Sequence, residues 1–148
     1  RMWFVLRSNA ETLALFPFDF ELYSVFALDG RTLRHSLAVK NTGDVPLRFG
    51  IGYHPAFALP FDDKHTTEDY ELKFDKLQSP TVLETGVEAH NGGLITGKSH
   101  VMMEKSDTIA MDDRMFDKDS ICMADLSANT ISIVEKGSGR NITLRIQS

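Results

Sequence analysis

The sequence predicts an all-β fold, a sandwich or barrel of short antiparallel strands. Apolar and polar residues alternate with a period of two along several runs, as they do in strands with one covered face. Turn-forming residues such as glycine, asparagine and aspartate separate these runs. No segment carries a sustained apolar stripe at helical spacing, so we expect no more than one or two helical turns in any one place.

The first predicted elements form a β-hairpin. Residues 18–28 alternate, and Asp29-Gly30 behind them is a strong signal for a tight turn. Residues 32–41 form the second strand, which ends in the turn cluster of residues 41–44. His35 lies on the apolar face of this second strand, and we interpret it as a core residue with its hydrogen bonds satisfied.

The rest of the chain contains four shorter strand-like runs, of which the last two enclose a glycine-containing turn and form a closing hairpin: residues 47–54, 70–74, 130–135 and 141–146. Residues 62–69 and 112–119 are each predicted to hold a helical turn or two. Residues 84–97 contain four glycines and few large apolar groups, which predicts a long loop.

Composition narrows the class of protein. The chain has 148 residues, 42% hydrophobic and 25% charged, with a formal net charge of −5. The length predicts one domain over residues 1–148, and the negative charge argues against nucleic acid and anionic membrane surfaces as partners. Cys122 is the only cysteine, so we expect no intrachain disulfide and a reducing, cytoplasmic location. We expect the Cys122 side chain to be buried as a small apolar group.

Residues 49–60 are the most informative stretch for function. Pro55 restricts His54 to extended dihedral angles and ends a strand, so His54 should stand at a strand end. Gly50 and Gly52 allow a ligand or another backbone to approach closely. An imidazole exchanges protons near neutral pH, and flat aromatic faces suit the apolar face of a pyranose. His54 is therefore a candidate acid or base, with a purely structural, hydrogen-bonded histidine as the alternative; the nearby aromatic residues are Tyr53, Phe57 and Phe61.

The run G-I-G-Y-H-P-A-F at residues 50–57 resembles the signature of the aldose 1-epimerase (galactose mutarotase-like) family, in its LacX-like branch. Four further segments resemble that branch in the same order, so that the resemblance covers nearly the whole chain: residues 15–22, 33–41, 68–74 and 115–121. The resemblance implies a galactose mutarotase-like β-supersandwich, of which this chain is a part. That fold agrees with the strands predicted from periodicity.

The resemblance also implies an activity, the interconversion of the α and β anomers of an aldose without metal or organic cofactor. In this mechanism a glutamate takes the proton of the C1 hydroxyl while a histidine protonates the ring oxygen. His54 matches the histidine. Asp113 lies where the family places a carboxylate that binds sugar hydroxyls, with Asp112 and Asp117 as equal alternatives. Phe57 is expected to contact the hexose.

The chain departs from the family pattern at both ends. The glutamate of the family lies in a C-terminal E-P-W type segment, and that context is found at none of Glu68, Glu71, Glu84, Glu88, Glu104 and Glu135. The family segment H-G-F-A-R would end before or at Arg1. We therefore expect the middle half of the fold, and two functions stay open. One is an isomerase that uses His54 with a glutamate from outside this chain or from another copy; the other is a non-catalytic carbohydrate-binding or structural remnant.

The sequence predicts no metal site, and it predicts that copies of the chain associate. His65, His90 and His100 have no metal-ligand spacing, and the acidic residues 112–119 lack the pattern of a calcium loop, so no metal site is predicted. Strands missing from the fold would leave sheet edges unpaired. A homodimer or strand exchange between copies is therefore predicted.

Overall fold

The computed structural model describes residues 1–86, 92–117 and 120–147, and this part of the chain is built almost entirely from antiparallel strands. The predicted all-β class is confirmed. The chain divides into two compact units, Arg1–Pro55 (unit 1) and Ala56–Ser148 (unit 2). Each unit is described by itself below, and the single domain expected from the length stays a prediction.

Unit 1 is a three-stranded sheet with one short helix. Its elements are β1 (Met2–Arg7), α1 (Ala10–Leu15), β2 (Phe20–Asp29) and β3 (Thr32–Asn41), and the strand order is β1-β2-β3. The predicted hairpin is confirmed: β2 and β3 pair from Phe20↔Asn41 to Asp29↔Thr32. Gly30 occupies the turn with a φ of 55°, a left-handed conformation that glycine adopts at little cost.

The turn after β3 is also confirmed. The Asn41 side chain accepts a hydrogen bond from the Gly43 amide at 3.0 Å and donates one to the Val45 carbonyl at 2.7 Å. Asparagine side chains commonly close turns in this way, because they replace a backbone group.

Helix α1 was not predicted, although its start is encoded locally. The Asn9 side chain accepts hydrogen bonds from the amides of Glu11 and Thr12, and the Thr12 hydroxyl accepts one from the Asn9 amide at 2.8 Å. This reciprocal pair is a capping box, which satisfies amides that have no partner inside the helix. Pro17 follows the Phe16 cap. Strand β1 was missed because apolar residues occupy both of its faces, which removes the alternating pattern.

Unit 2 contains seven described strands in two sheets. Their bounds are β4 Tyr70–Gln78, β5 Thr81–Thr85, β6 Ile95–Val101, β7 Ser106–Ala110, β8 Cys122–Ala124, β9 Thr130–Glu135 and β10 Asn141–Arg145. One sheet has four strands in the order β10-β9-β4-β7, and the other has three in the order β6-β5-β8. The predicted strand at residues 70–74 and the closing hairpin are confirmed.

Strand β4 lies at the centre of the core of unit 2. Tyr70, Met111 and Ile133 are buried and form one cluster. The partly buried side chains that pack against this cluster are Leu59, Phe61, Leu72 and Met115. Since Leu72 is opposite Ile133 on β9 and opposite Ile109 on β7, the four-stranded sheet itself brings these apolar groups together.

Two predictions about residues 47–54 and 84–97 were wrong. Residues 47–54 form no strand; they include Gly50 and Gly52, and no described strand supplies partners for their backbone groups. The loop predicted for residues 84–97 is shorter, because Thr85 belongs to β5 and residues 95–97 belong to β6. Every side chain of β6 is exposed, so the strand has no apolar alternation to reveal it. Residues 87–91 of that loop lie outside the described part.

Three smaller predictions had mixed outcomes. Residues 62–69 hold a single 3₁₀ turn, Thr67–Asp69, and residues 113–117 form turns, while residues 118–119 lie outside the described part. Cys122 lies in β8 and is partly buried rather than fully buried.

No helix among the described residues is long and apolar enough to cross a membrane. The homodimer stays a prediction.

Candidate functional site

The three residues expected at the site lie on exposed segments. His54 is exposed at the end of unit 1, outside any strand. Phe57, 38% exposed, and Asp113, in an exposed turn, belong to unit 2. Among the described residues, no hydrogen bond or ion pair involves the side chain of His54 or Asp113. The roles assigned to these three residues stay predictions.

Tyr53, the neighbour of His54, is anchored on the hairpin of unit 1. Its hydroxyl donates a hydrogen bond to the His35 carbonyl at 3.0 Å, and its ring meets the His35 ring edge to face at 4.9 Å. The His35 ring stacks on Phe26 at 4.0 Å and its Nε2 lies 2.8 Å from the Ser24 hydroxyl. His35 is therefore hydrogen-bonded as expected, although only partly buried. The contact fixes the chain one residue before His54.

One face of the unit 1 sheet carries aromatic and charged side chains together. On this face Trp3 is opposite Val25 in the β1–β2 pairing, and Val5 is opposite Tyr23. Trp3 is 66% exposed. An open depression of about 480 Å³ is lined by Arg1, Trp3, Tyr23 and Val25.

A charged cluster adjoins the aromatic residues on this face. The Tyr23 hydroxyl donates to Glu21 Oε2 at 2.5 Å, and Arg7 Nε donates to Glu21 Oε1 at 2.9 Å. Lys40 Nζ lies 3.9 Å from Glu21. The Tyr23 hydrogen bond and then the Arg7 guanidinium lower the pKa of Glu21, since both stabilise the carboxylate. The same hydrogen bond raises the pKa of Tyr23.

A second polar group lies inside unit 2, around the fully buried Glu135. Tyr70 donates its hydroxyl proton to Glu135 Oε2 at 2.8 Å, and Arg140 Nε donates to Glu135 Oε1 at 2.9 Å. Ser138 donates to the same carboxylate. The Arg140 hydrogen bonds lower the pKa of Glu135 to about 2 against the opposing effect of burial. Burial raises the pKa of Tyr70, whose oxygen also accepts the Phe61 amide at 2.8 Å.

Asp62 and His65 extend this group toward the surface. His65 Nδ1 lies 2.6 Å from Asp62 Oδ1, and Arg140 donates a further hydrogen bond to Asp62. The His65 contact and then Arg140 hold the pKa of Asp62 well below its usual range, and Asp62 raises the pKa of His65. The hydrogen bonds that Arg140 donates to the two carboxylates raise its own pKa, and the bond to Glu135 has a larger effect than the bond to Asp62.

Asp62, His65 and Glu135 also have the donor set of a divalent-metal site, with ligand atoms within 4.8 Å of one another. However, the Arg140 guanidinium binds both carboxylates. A metal ion would have to displace this cation, so the group fits an internal ion network better than a metal centre. The expectation of no metal stays a prediction.

The sequence pattern did not reveal this network. In the sequence, Glu135 is only a glutamate without the context of the family's general base, and His65 is only a histidine without metal-ligand spacing. The network joins residues 62–65 to residues 135–140, and only the pairing of β4 with β9 brings these segments together. The one local signal is the spacing of Asp62 and His65, three residues apart.

Comparison with known proteins identifies relatives. The family model described as aldose 1-epimerase matches residues 2–148. The plasmid and chromosomal LacX proteins of Lactococcus lactis subsp. lactis are each 27% identical to this chain over 141 residues, 94% of this chain and 46% of the relative. The chain thus spans about half the length of the curated relatives it matches.

Solved structures show the same fold. A galactose mutarotase related enzyme from Lactobacillus acidophilus superposes with a TM-score of 0.77 at 25% identity, covering 90% of this chain and 43% of that chain. A galactose mutarotase-like protein from Lactobacillus casei superposes with a TM-score of 0.78 at 23% identity, covering 97% of this chain and 48% of that chain. The expected mutarotase-like β-sandwich is therefore confirmed.

Proposed function

The chain belongs to the aldose 1-epimerase family, and from this premise we propose that it interconverts the α and β anomers of a hexose by acid–base ring opening and closure. The observation that carries the proposal is the family match over residues 2–148, which includes the G-I-G-Y-H-P-A-F segment at residues 50–57. No metal or organic cofactor is proposed. The relatives support a hexose without indicating which one.

His54 is the proposed general acid, which protonates the ring oxygen as the bond between C1 and that oxygen breaks. Imidazole can hold or release a proton near neutral pH, which the reaction requires in both directions. The exposed position of His54 leaves its ring accessible to a sugar. The contacts of Tyr53 with His35 limit the movement of the segment at its N-terminal side.

The general base is proposed to be a glutamate outside residues 1–148 or on another copy of the chain. Glu135 is unsuited to this role. Its side chain is fully buried, it is bound by Arg140 and Tyr70, and its pKa of about 2 makes it a weak proton acceptor.

Phe57 and Asp113 are proposed to bind the sugar, through its apolar face and its hydroxyl groups respectively. Of the three neighbouring acids that could bind hydroxyl groups, Asp112 already accepts a hydrogen bond from the Arg114 amide at 2.7 Å. Asp113 and Asp117 are both exposed. Asp113 is therefore favoured over Asp112, and Asp117 stays an alternative.

The test is polarimetry of glucose and galactose mutarotation with the wild type and His54→Ala. Loss of a positioned general acid typically costs about 10²–10⁴ in rate, so the variant should be close to the uncatalysed reaction. His100→Ala is the matched control, because His100 is also an exposed histidine but lies on β6. Equal catalysed rates for the wild type and His54→Ala would overturn the proposal.

A second candidate is carbohydrate binding without turnover. It is favoured by one observation: within the described residues of unit 1, no carboxylate forms an ion pair or hydrogen bond with His54. In that case hexose binding would be measurable by calorimetry while the polarimetric rate equals the buffer rate. Catalysis that depends on His54 would exclude this candidate.

Location and partners are proposed from the sequence. A cytoplasmic location is proposed because the single cysteine, Cys122, has no disulfide partner in the chain. A homodimer is proposed to cover unpaired sheet edges. Sedimentation at micromolar concentration tests the dimer, and a monomer would contradict it.

A further inference from the structure

We propose that Tyr53 is a positioning residue for the proposed reaction. Its two contacts with His35, which we call the tether, hold the backbone of His54 so that the imidazole is presented to the sugar. This inference rests on the proposed function, because it assigns a role within the same site. Tyr53 acts through His54, and it neither binds the hexose nor transfers a proton.

The His35 ring is a fixed base for the tether. His35 is directly opposite Phe26 in the β2–β3 hairpin, and the two rings stack with their centroids 4.0 Å apart and an interplanar angle of 11°. Ser24 lies two residues before Phe26, on the same face of the sheet, and its hydroxyl is 2.8 Å from His35 Nε2. The stacking fixes the plane of the imidazole, and the hydrogen bond fixes its rotation within that plane. The ring therefore has one defined orientation.

Tyr53 is attached to this base at two points. Its hydroxyl donates a hydrogen bond to the His35 carbonyl at 3.0 Å, and the two rings meet edge to face with their centroids 4.9 Å apart. Edge-to-face packing is a favourable arrangement for such rings. A single contact would let the side chain turn about it, whereas two contacts fix both its end and its plane. The hydroxyl proton is engaged in this bond, so it is not available to a sugar.

The backbone of His54 is restricted from both sides. Tyr53 precedes it and is anchored on β3, and Pro55 follows it and restricts His54 to extended dihedral angles. Within the described part of the chain, residues 46–55 take part in no other hydrogen bond. A catalytic group misplaced by about 1 Å can lose about a hundredfold in rate. The tether is therefore the contact in this segment that can keep the His54 imidazole in place.

Tyr53→Phe is the first test, because it removes the hydroxyl and keeps the ring. Polarimetry should show kcat for mutarotation lowered about tenfold, as for one lost hydrogen bond, with KM changed less than about twofold. A raised KM with an unchanged kcat would instead mean that Tyr53 binds the sugar, and would overturn the proposal. Tyr23→Phe is the matched control. It removes the hydroxyl hydrogen bond of another tyrosine of unit 1, on the opposite face of the sheet, and should change neither constant.

Two variants of His35 test the ring contact, since the carbonyl that binds Tyr53 belongs to the backbone and stays in place. His35→Ala removes the ring and should lower kcat. His35→Phe restores a flat ring that can stack on Phe26, and should recover most of the loss. Circular dichroism confirms that each variant is folded. A wild-type kcat in His35→Ala, or no recovery in folded His35→Phe, would count against the proposal.

Nuclear magnetic resonance tests the tether without turnover, and so separates this inference from the proposed function. The order parameter of the His54 amide should be close to that of a rigid backbone, about 0.85, and Tyr53→Ala should lower it below about 0.6 without changing β2 and β3. This result in a chain without mutarotation supports the tether and overturns the proposed isomerase. Mutarotation that depends on His54, with a full kcat in Tyr53→Phe and a His54 amide equally ordered in Tyr53→Ala, overturns the tether alone. A His54 amide that is already mobile in the wild type also overturns it.

Discussion

The two units of this chain differ in how far their apolar side chains are buried. The buried apolar side chains among the described residues lie in unit 2, on or beside its four- and three-stranded sheets: Tyr70, Phe74, Pro80, Val82, Ile109, Met111 and Ile133. In unit 1 no described residue reaches the same burial, and large apolar side chains such as Trp3 and Leu33 are more than half exposed. Unit 2 therefore has a core of its own, whereas no residue of unit 1 is buried in the described part of the chain.

This difference predicts that unit 2 contributes more to the stability of the chain than unit 1. Burial of apolar area is the dominant favourable contribution to folding, so it should stabilise unit 2 more than unit 1. Unit 1 relies on its sheet pairing, its turns and the cap of α1. His54, the proposed general acid, is an exposed residue of unit 1.

The largest effect is expected from truncating the core of unit 2. Ile133→Ala should lower the free energy of unfolding by about 2–5 kcal/mol, because it leaves a cavity in the core cluster beside Tyr70 and Met111. Leu33→Ala in unit 1 is the matched control, since Leu33 is 64% exposed and its loss should matter by no more than about 0.5 kcal/mol. Urea unfolding followed by circular dichroism measures both. Equal losses would contradict the contrast between the units.

A smaller loss, dependent on pH, is expected from Glu135→Gln. The pKa of Glu135 is lowered from 4.5 to about 2 in the folded state, so the ionised carboxylate stabilises the fold above about pH 4.5. This contribution disappears as the pH falls from 4.5 toward 2. The difference between the wild type and Glu135→Gln should thus be full at pH 7 and should shrink at about pH 3.

Denaturant midpoints at the two pH values test the Glu135 prediction. The loss at pH 7 should be smaller than that of Ile133→Ala, because the Arg140 side chain is 47% exposed and can turn to water. Glu104→Gln, on an exposed residue, is the control. A difference between the wild type and Glu135→Gln that grows on acidification would contradict the prediction.

The smallest effect is expected at the helix cap of unit 1. Asn9→Ala removes the acceptor of two α1 amides and should cost about 1 kcal/mol. Hydrogen exchange should show faster exchange in residues 10–13 with no change in β4 and β9. Leu15→Ala, at the 91% exposed end of the same helix, should leave exchange unchanged. Faster exchange in β4 would show that the cap supports more than unit 1.

Local patterns decided which parts of the fold could be predicted. The hairpin of β2 and β3, strand β4 and the closing hairpin carry both alternation and turn residues, and each was predicted. Strands β1 and β6 were missed for opposite reasons, since apolar residues occupy both faces of β1 and all side chains of β6 are exposed. The capping residues of α1 were readable in the sequence, but a six-residue helix has no apolar stripe to draw attention to them.

The sequence by itself determined the all-β class, the main hairpins and the His54-Pro55 segment, because each depends on residues that are near neighbours in the chain. The tertiary structure alone decided two features. It joined Asp62 and His65 to Glu135 and Arg140 across about seventy residues, as the separation of 78 between Asp62 and Arg140 illustrates. It also placed Trp3 beside Tyr23 on one face of a sheet. The physical reason is strand register: hydrogen bonds between strands decide which distant side chains meet, and no local pattern encodes that pairing.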